Sequence, residues 1–351
     1  MKDDLNHIIR QFFDFEGLPS FFSLNQGHIN DTYRCEIAGT SYLLQRINRS
    51  IFHQVEPLME NMKTVAKYLQ QHSDLPHLLN PMISSEGLPY WKDANGAYWR
   101  ILPFIEQSYA PERVRNEQEA FEAAQMLARF LAALRDLNVN LIHEIIPQFH
   151  NGVSRFANFE DAIAKANPSR LKKSSEAVAY IRSYASLFKK IERLNLPKWI
   201  VHNDPKISNV LFDKQSKKAI CMIDWDTIMP GSVLSDFGDM VRTACASLDE
   251  EDQRIDEVEI VETLFRACCK GFLAPIRAFL TEKEKKYLLE GPKWIILEQA
   301  MRFLTDYLNG DIYYKITYEK QNLMRAKNQI ALFQSFMNQE ASFQTIIQAE
   351  L

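Results

Sequence analysis

The 351-residue sequence has little of what membrane-spanning, secreted or nucleic-acid-binding proteins need. Its apolar runs are far shorter than the roughly 20 residues that cross a bilayer. The opening MKDDLNHIIRQFFDF lacks the basic and then apolar segments of a secretory signal. A formal net charge of −4 gives no electrostatic attraction to nucleic acid or to an anionic membrane. We therefore expect a cytoplasmic protein, a monomer or weak dimer, with neither nucleic acid nor a membrane as its partner.

Cysteine is also scarce, with five residues and no C-x-x-C pair among them. Cys221 lies in an apolar run, and Cys268 and Cys269 lie in a predicted helix, which favours reduced core thiols over disulfides or zinc ligands. No internal repeat, low-complexity run or flexible linker divides the chain. Because 46% of the residues are hydrophobic, the chain can bury a large core and is long enough for two lobes.

The most informative segment, residues 200–237, reads IVHNDPKISNVLFDKQSKKAICMIDWDTIMPGSVLSDF. His202, Asp204 and Asn209 have the spacing H-x-D-x-x-x-x-N, and Asp224 follows an apolar run. Phosphoryl transfer from a nucleotide needs an acceptor for the proton of the substrate hydroxyl and oxygen ligands for magnesium. Asp204 can serve as the first, and Asn209 with Asp224 as the second. The segment therefore predicts a magnesium-dependent kinase.

The apolar runs in this segment, residues 210–212 and 219–223, have the length of short strands, and the polar residues between them predict a hairpin. The hairpin would hold the loop with Asp204 on one side and the carboxylate of Asp224 on the other. Asn209, at the start of the first strand, could reach the same ion. We interpret His202 as a core histidine that organises the loop rather than as a base.

The N-terminal third has the short apolar runs and turns of a small sheet, with strands predicted over residues 31–37 and 42–47. Gly27 permits close approach of the backbone to a ligand, and Asn30 and Thr32 offer polar side chains after it. Such a strand-turn-strand unit can close over phosphates. A hairpin with one glycine is, however, commonly no more than a hairpin.

Kinases hold the α- and β-phosphates with a cation on the third strand, and they hold that cation with a glutamate on a helix. Arg46 is the candidate cation, because a guanidinium can bind phosphate through two parallel hydrogen bonds. The glutamate is expected on a helix predicted over residues 56–70, with Glu60 as first choice and Glu56 as second. The alternative is that Arg46 and Glu60 are solvated surface charges.

Residues 97–105 predict a strand that runs into an extended segment, because Pro103 has no amide hydrogen and forces its neighbour to extend. In a two-lobed kinase this segment is the hinge. We expect the backbone at Leu102 to bind the adenine edge of ATP, with Phe104 and Ile105 packed near the ring. Any strand that ends in a proline shares this pattern.

The pattern I-D-W-D followed by G-x-x-x-x-D, which ends at Asp236, resembles the aminoglycoside phosphotransferase and choline kinase superfamily. The resemblance implies an α+β, two-lobed protein-kinase-like fold. Residues 1–105 would form a small antiparallel-sheet lobe that binds the nucleotide, and residues 106–351 a larger helical lobe with the catalytic and sugar-binding site. Apolar periodicity predicts the helices of the second lobe at residues 116–137, 176–195, 257–272, 282–289 and 292–308. Asp236 is expected to brace the catalytic loop by accepting backbone hydrogen bonds.

Longer stretches narrow the resemblance to N-acetylhexosamine 1-kinases. These stretches are GHINDTY, YLLQRIN, HNDPKISNVLFD, IDWDTIMPG, SDFGDMVR and MRFLTDYLNGDIYY, and together they extend over nearly the whole chain. Members of that family transfer the γ-phosphate of ATP to the anomeric hydroxyl of N-acetylglucosamine or N-acetylgalactosamine, with magnesium. Pro205 and Trp225 depart from the family pattern beside the acceptor.

The resemblance assigns the base and the magnesium ligands to the residues already named, and it places Thr227, Arg302 and Tyr313 in the sugar pocket. An uncharged sugar needs hydrogen-bond formers and an aromatic face, which these side chains supply. Arg302 and Asp306 lie one helical turn apart and could instead form a plain structural ion pair.

Two other functions stay open on the sequence. The chain could phosphorylate another small alcohol, such as an aminoglycoside, choline or an amino-alcohol, and a cationic substrate would call for an acidic or aromatic pocket. The chain could also be a nucleotide-binding pseudokinase that acts as a scaffold. Such proteins usually lack the base or a metal ligand, whereas Asp204, Asn209 and Asp224 are all present here.

Overall fold

The structure, a computed structural model, describes residues 2–24 and 29–351, so the predicted contact at Gly27 lies outside the described residues. It has ten strands: β1 (Ser20–Ser23), β2 (Asp31–Ile37), β3 (Thr40–Arg46), β4 (Trp91–Lys92), β5 (Tyr98–Pro103), β6 (Ser108–Tyr109), β7 (Trp199–Val201), β8 (Val210–Asp213), β9 (Ala219–Met222) and β10 (Met229–Gly231). All these strands pair antiparallel.

The described part of the chain has thirteen α-helices. They are α1 (Lys2–Ile9), α2 (Val55–His72), α3 (Glu117–Leu134), α4 (Gly152–Lys165), α5 (Pro168–Lys173), α6 (Ser175–Ser183), α7 (Ser186–Arg193), α8 (Val233–Ala244), α9 (Glu262–Ile276), α10 (Glu282–Tyr287), α11 (Glu290–Asn309), α12 (Gln321–Asn338) and α13 (Glu340–Glu350). An antiparallel sheet comes first and a mainly helical region follows, so the predicted α+β, protein-kinase-like fold is confirmed. None of the helices among the described residues is both long enough and apolar enough to cross a membrane.

The N-terminal sheet has the strand order β1-β2-β3-β5-β4 and two faces with different partners. Successive residues of a strand point to opposite faces. Leu44 and Trp99 lie on the outer face, where they pack with Ile8 and Ile9 of α1 in a separate apolar cluster. Leu102 lies on the inner face and joins the main core, which also contains the apolar side of α2.

The segment with the predicted catalytic residues folds as the sequence predicts. β8 and β9 form an antiparallel hairpin in which Val210 lies opposite Met222, and residues 214–218 connect the two strands. β6 pairs with β8 on the other side, so the chain joins this second sheet directly after it leaves β5. A further pair, β7 with β10, flanks the loop that carries Asp204.

The sequence analysis missed the helices α4, α5, α8, α12 and α13, and two of the helices that it predicted differ from the structure. The single helix predicted over residues 176–195 is wrong, because the chain turns at Tyr184 and forms two helices. Both α6 and α7 pack against α11, but α6 also contacts α12 whereas α7 also contacts α4. The helix predicted from residue 257 begins only at Glu262, because residues 255–257 form a 3₁₀ turn and Ile260 pairs with Ala246 in a β-bridge.

The most extensive helix contact within the described chain is between α3 and α9. A Cβ atom on Gly271 of α9 would lie 2.2 Å from the carbonyl oxygen of Phe121 in α3. Because both partners are backbone, neither can rotate away. The absence of a side chain at Gly271 therefore sets the distance between the two helices.

We predict that Gly271→Ala lowers the free energy of unfolding by about 2 kcal/mol or more, since overpacking a core typically costs about 1–3 kcal/mol. Urea unfolding followed by circular dichroism measures the change. Lys270→Ala, at the exposed neighbouring position of the same helix, is the control and should change stability by less than about 0.5 kcal/mol. An equally small effect of Gly271→Ala would contradict the crossing.

Candidate active site

The loop between β7 and β8 carries Asp204 and returns on itself so that Asn209 lies beside it. The Nδ2 atom of Asn209 donates to the backbone oxygen of Asp204 at 2.8 Å and to its carboxylate at 3.1 Å. Both hydrogens of the amide are thus used within the loop. No described residue donates to Oδ1 of Asn209, which leaves this oxygen as a ligand for a cation.

Lys206 was missed by the sequence reasoning and belongs to the same loop. Its Nζ lies 3.2 Å from the carboxylate of Asp204. Burial would raise the pKa of Asp204, but the positive charge of Lys206 and the influence of His202 hold that pKa below its usual value. Asp204 in turn raises the pKa of Lys206 against the effect of burial. The available signal was position, because Lys206 follows the predicted base by two residues.

Asp224 stands two residues after the end of β9 with a positive φ of 62°, and this left-handed backbone ends the extended conformation of the strand. Burial raises the pKa of its carboxyl to about 7, and the negative charges of Asp226 and Asp204 add to the effect. Asp204 therefore lies close enough to Asp224 for its charge to act on this carboxyl.

The oxygen atoms of Asp224 and Asn209 are suitable ligands for a divalent cation. None of the described residues donates a hydrogen bond to the carboxylate of Asp224, and its raised pKa shows that positive charge nearby is insufficient. Asp224 and Oδ1 of Asn209 are hard oxygen ligands, which Mg²⁺ prefers, and Mg²⁺ commonly takes its other ligands from water and phosphate. Among residues 2–24 and 29–351, no group of three or more His, Cys, Asp and Glu side chains is arranged for a metal. A cation here would depend on one carboxylate, one amide and its substrate.

Asp236 of α8 braces the catalytic loop, as predicted. Its carboxylate is fully buried and accepts the backbone N–H groups of His202 at 2.8 Å and Asn203 at 2.9 Å. Burial raises the pKa of Asp236 to about 7, and the two backbone hydrogen bonds oppose that rise. His202 is a buried core histidine: burial lowers its pKa, and Nε2–H donates to the carbonyl of Ile223 at 2.8 Å.

The predicted ion pair between Arg46 and Glu60 is wrong. Arg46 lies on the outer face of the sheet, where Nε donates to Asp31 at 2.7 Å. Its register partner on β5 is Trp99, a member of the cluster under α1. Glu60 instead pairs with exposed His143 at 3.0 Å. The reason is strand alternation, which turns Arg46 away from the face that carries Leu102.

A buried cation on the inner face is Arg100 of β5, which is 1% exposed and which the sequence reasoning missed. Its guanidinium forms two parallel hydrogen bonds with Asp226, one of them at 2.9 Å, and Nε donates to Gln45 at 2.9 Å. Asn30 donates to the same carboxylate at 2.8 Å. This buried ion pair joins the N-terminal sheet to the turn that follows Asp224.

The other predicted nucleotide contacts lie beside this pair on the inner face. Thr32 accepts a hydrogen bond from Gln45 at 3.1 Å. Leu102 is buried, and the guanidinium of Arg34 lies 4.8 Å from the centre of the Phe104 ring. Thr32, Leu102 and Phe104 thus share one face of the sheet region with Arg100, whereas Arg46 does not.

On the opposite side of the cleft, Arg302 of α11 lies over two aromatic rings, 5.3 Å from the centre of Phe149 and 5.8 Å from that of Tyr314. Its one hydrogen bond within the described chain goes to Gln299 at 3.1 Å. Burial would lower the pKa of Arg302, but nearby Tyr314, Tyr313, Glu298 and Asp204 raise it. Arg302 therefore has free N–H donors near the catalytic carboxylate.

The alternative pairing of Arg302 with Asp306 is not formed. Asp306 is buried and accepts the backbone N–H groups of Ile312, Tyr313 and Tyr314 at 2.8–3.0 Å. These three hydrogen bonds fix the turn that contains Tyr313, whose side chain is about half exposed.

Thr227, the third predicted sugar contact, lies beneath the catalytic loop. It is buried, and its hydroxyl donates to the carbonyl of His202 at 2.8 Å.

A model of the phosphotransferase enzyme family matches residues 23–263, which is more than half of the chain and includes the whole catalytic segment. The chain belongs to the phosphotransferase enzyme family. Solved structures share the fold of this phosphotransferase. A microcompartment-associated aminopropanol kinase has 15% identity and a TM-score of 0.63, covering 97% of this chain and 98% of its own. Amicoumacin kinase, in complex with AMP-PNP and Ca²⁺, has 14% identity and a TM-score of 0.63, covering 94% and 92%. Choline kinase from Cryptosporidium parvum has 12% identity and a TM-score of 0.59, covering 100% and 99%.

We predict that either Arg100→Met or Asp226→Leu alone destabilises this phosphotransferase by about 3–5 kcal/mol, because each leaves one buried charge without its partner. The double variant should recover most of that stability, since replacing a buried ion pair by apolar groups is often neutral. Thermal unfolding of the four proteins measures the coupling. Additive losses in the double variant would contradict the pairing.

Proposed function

We propose that this phosphotransferase transfers the γ-phosphate of ATP to the C1 hydroxyl of an N-acetylhexosamine, N-acetylglucosamine or N-acetylgalactosamine. The observation that supports it best is that Asp204 lies near enough to Asp224 to raise its pKa, while the side-chain amide of Asn209 donates to Asp204. A base carboxylate and two oxygen ligands are the groups that phosphoryl transfer requires. The stretches that resemble N-acetylhexosamine 1-kinases suggest the acceptor.

The nucleotide is assigned to the inner face of the N-terminal sheet, within residues 1–105, with the adenine near Leu102 and Phe104. Amicoumacin kinase, which shares this fold, was solved with a nucleotide analogue and a divalent cation. In this chain Asn209 and Asp224 would hold Mg²⁺, which when bound neutralises charge on the β- and γ-phosphate oxygens. Lys206, beside Asp204, is placed to contact the phosphoryl group as it transfers.

Asp204 is the base in this proposal. Lys206 and His202 hold the pKa of its carboxyl below the usual value, so the group is a carboxylate at neutral pH and can accept a hydrogen bond from the acceptor hydroxyl. Its hydrogen bond from Asn209 fixes the carboxylate without removing its second oxygen. Asp204 would then orient the C1 oxygen in line with the phosphoryl group and take its proton.

The acceptor pocket favours a neutral, oxygen-rich acceptor over choline, an amino-alcohol or an aminoglycoside. Arg302 and Arg155 are both in this region, and within the described chain neither has a hydrogen bond to a carboxylate. Burial, together with the positive charge of Arg302, lowers the pKa of Arg155. A cationic acceptor would meet two positive charges that no described carboxylate neutralises by a hydrogen bond, whereas hydroxyl and acetamido oxygens would accept their N–H donors.

We predict that Asp204→Asn lowers kcat by about 100- to 10,000-fold, the usual contribution of a general base. Binding of ATP should stay within threefold of the parent, because Asp204 contacts the acceptor and not the nucleotide. Calorimetric titration with ATP and magnesium measures binding, and a coupled ADP assay measures turnover. Asp161→Asn, an exposed carboxylate on α4, is the matched control. Retained turnover in Asp204→Asn would refute the assignment of the base.

The acceptor is tested with a panel of N-acetylglucosamine, N-acetylgalactosamine, glucose, choline, 1-aminopropan-2-ol and kanamycin, each with ATP and magnesium. We expect turnover with the N-acetylhexosamines and a sugar 1-phosphate signal in ³¹P NMR. The methyl glycosides of the same sugars lack the C1 hydroxyl and should give no product. Phosphorylated methyl glycosides would exclude the anomeric position, and faster turnover of an amine would favour the rival acceptors. ATP consumption that no acceptor stimulates would favour a scaffold.

A further inference from the structure

His150 stands just before α4, where both nitrogens of its ring face hydrogen-bond acceptors. Nδ1 lies 2.8 Å from a carboxylate oxygen of Glu298, and Nε2 lies 2.9 Å from the carbonyl oxygen of Asn203. A carbonyl and a carboxylate only accept, so both nitrogens carry a hydrogen. The geometry therefore describes a charged imidazolium, 11% exposed, inside the protein.

Glu298 of α11 is the counter-ion of this ring. It is 2% exposed, and its second oxygen accepts Nε1–H of Trp294 at 2.9 Å. Burial would lower the pKa of His150, but the charge and hydrogen bond of Glu298 and the carbonyl of Asn203 raise it above its ordinary value. The same ring lowers the pKa of Glu298 against the effect of burial.

Asn203 has a left-handed backbone with φ of 65°, a conformation that a non-glycine residue adopts only when its surroundings hold it. Its N–H donates to Asp236, and its side-chain amide donates to the carbonyls of Thr227 at 2.9 Å and Met229 at 3.3 Å. The carbonyl of Asn203 belongs to the peptide bond that joins Asn203 to Asp204. The bond from His150 to this carbonyl therefore fixes the plane of the peptide on which the catalytic carboxylate is built.

We propose that His150 is a positioning residue, which as an imidazolium paired with Glu298 holds the peptide between Asn203 and Asp204 in the orientation that catalysis needs. This inference rests on the proposed role of Asp204 as the base. It also ties the base to the acceptor pocket, because Glu298 and Arg302 lie one turn apart on α11. The other charged groups near His150 are Arg302, which opposes its protonation, and Asp236, whose pKa it lowers.

The charge on the ring has a consequence for the pH dependence of turnover. The folded-state pKa of His150 is raised, so the imidazolium is present at low pH and is lost as the pH rises through that pKa. The neutral ring has one hydrogen, which stays on Nδ1 beside the carboxylate of Glu298, the stronger acceptor. Asn203 then loses its donor, and we expect kcat to fall on the alkaline side, above about pH 6.5.

The variant Glu298→Gln tests this pH dependence without removing the hydrogen bonds of the His150 ring. The new amide can accept from Trp294 and donate to Nδ1, so the ring becomes neutral with its hydrogen on Nε2, still facing Asn203. The bond to the catalytic loop then no longer depends on pH. We expect the alkaline fall in kcat of the parent protein to disappear in Glu298→Gln, while KM for ATP stays within twofold. An unchanged alkaline fall in the variant would overturn the proposal.

The matched control is Glu60→Gln, which changes the exposed pair between Glu60 and His143. Its pH profile should equal that of the parent. His150→Phe removes both hydrogen bonds at similar size, and we expect kcat to fall at least tenfold at pH 6.5 in protein that circular dichroism shows to be folded. Folded His150→Phe with kcat within twofold of the parent would overturn the proposal.

¹⁵N NMR of histidine-labelled protein measures the protonation of His150 without any substrate, and the variant His150→Phe serves to assign the signal. Two protonated nitrogens at pH 6.5 are expected, and a neutral ring at that pH would overturn the inference even if the enzyme phosphorylates an N-acetylhexosamine. If the enzyme uses another acceptor substrate, the pH profiles are measured with that substrate. They then test the role of His150 separately from the proposed acceptor.

Discussion

The architecture of the cleft depends on one buried ion pair. Arg100 comes from the N-terminal sheet and Asp226 from the turn after β9, and each supplies the charge that makes burial of the other tolerable. Gln45 and Asn30 complete the hydrogen bonds of the pair. Because Asp226 follows Asp224 by two residues, the same contact that joins the two halves of the molecule also fixes the turn that presents the candidate metal ligand.

Two carboxylates with similarly raised pKa values have opposite roles around that turn. Asp236 is surrounded by backbone N–H groups, so its burial is compensated by the loop that it holds. Asp224 has no hydrogen-bond donor among the described residues, and its negative neighbours add to the rise in its pKa against the positive charges of Lys206 and Arg100. The first carboxylate stabilises the loop that surrounds it, and the second is the one to which the proposal assigns a cation. Hydrogen-bond partners, rather than the pKa alone, distinguish them.

The sequence predicted what local spacing determines. The loop with Asp204 and Asn209 and the hairpin of β8 and β9 follow from residues close together in the chain, whereas the bracing by Asp236, which lies 34 residues after His202, was expected from the family resemblance. The assignment of Arg46 failed because the face that a strand turns to the cleft depends on which side α1 covers, and that contact is remote in sequence. Arg100, a lone charge in the apolar strand YWRILP, was the available signal. Nothing near His150 in the sequence indicates its contact with Asn203, because 53 residues separate them.

The turn pinned by Asp306 has an evolutionary consequence. One carboxylate holds three successive amides, and amides are present whatever the side chains are, so residues 312–314 keep their backbone path through most substitutions. Ile312 is 79% exposed and contributes little to the core. The surface beside Tyr313, the proposed acceptor contact, can therefore change its chemistry by single substitutions at little thermodynamic risk.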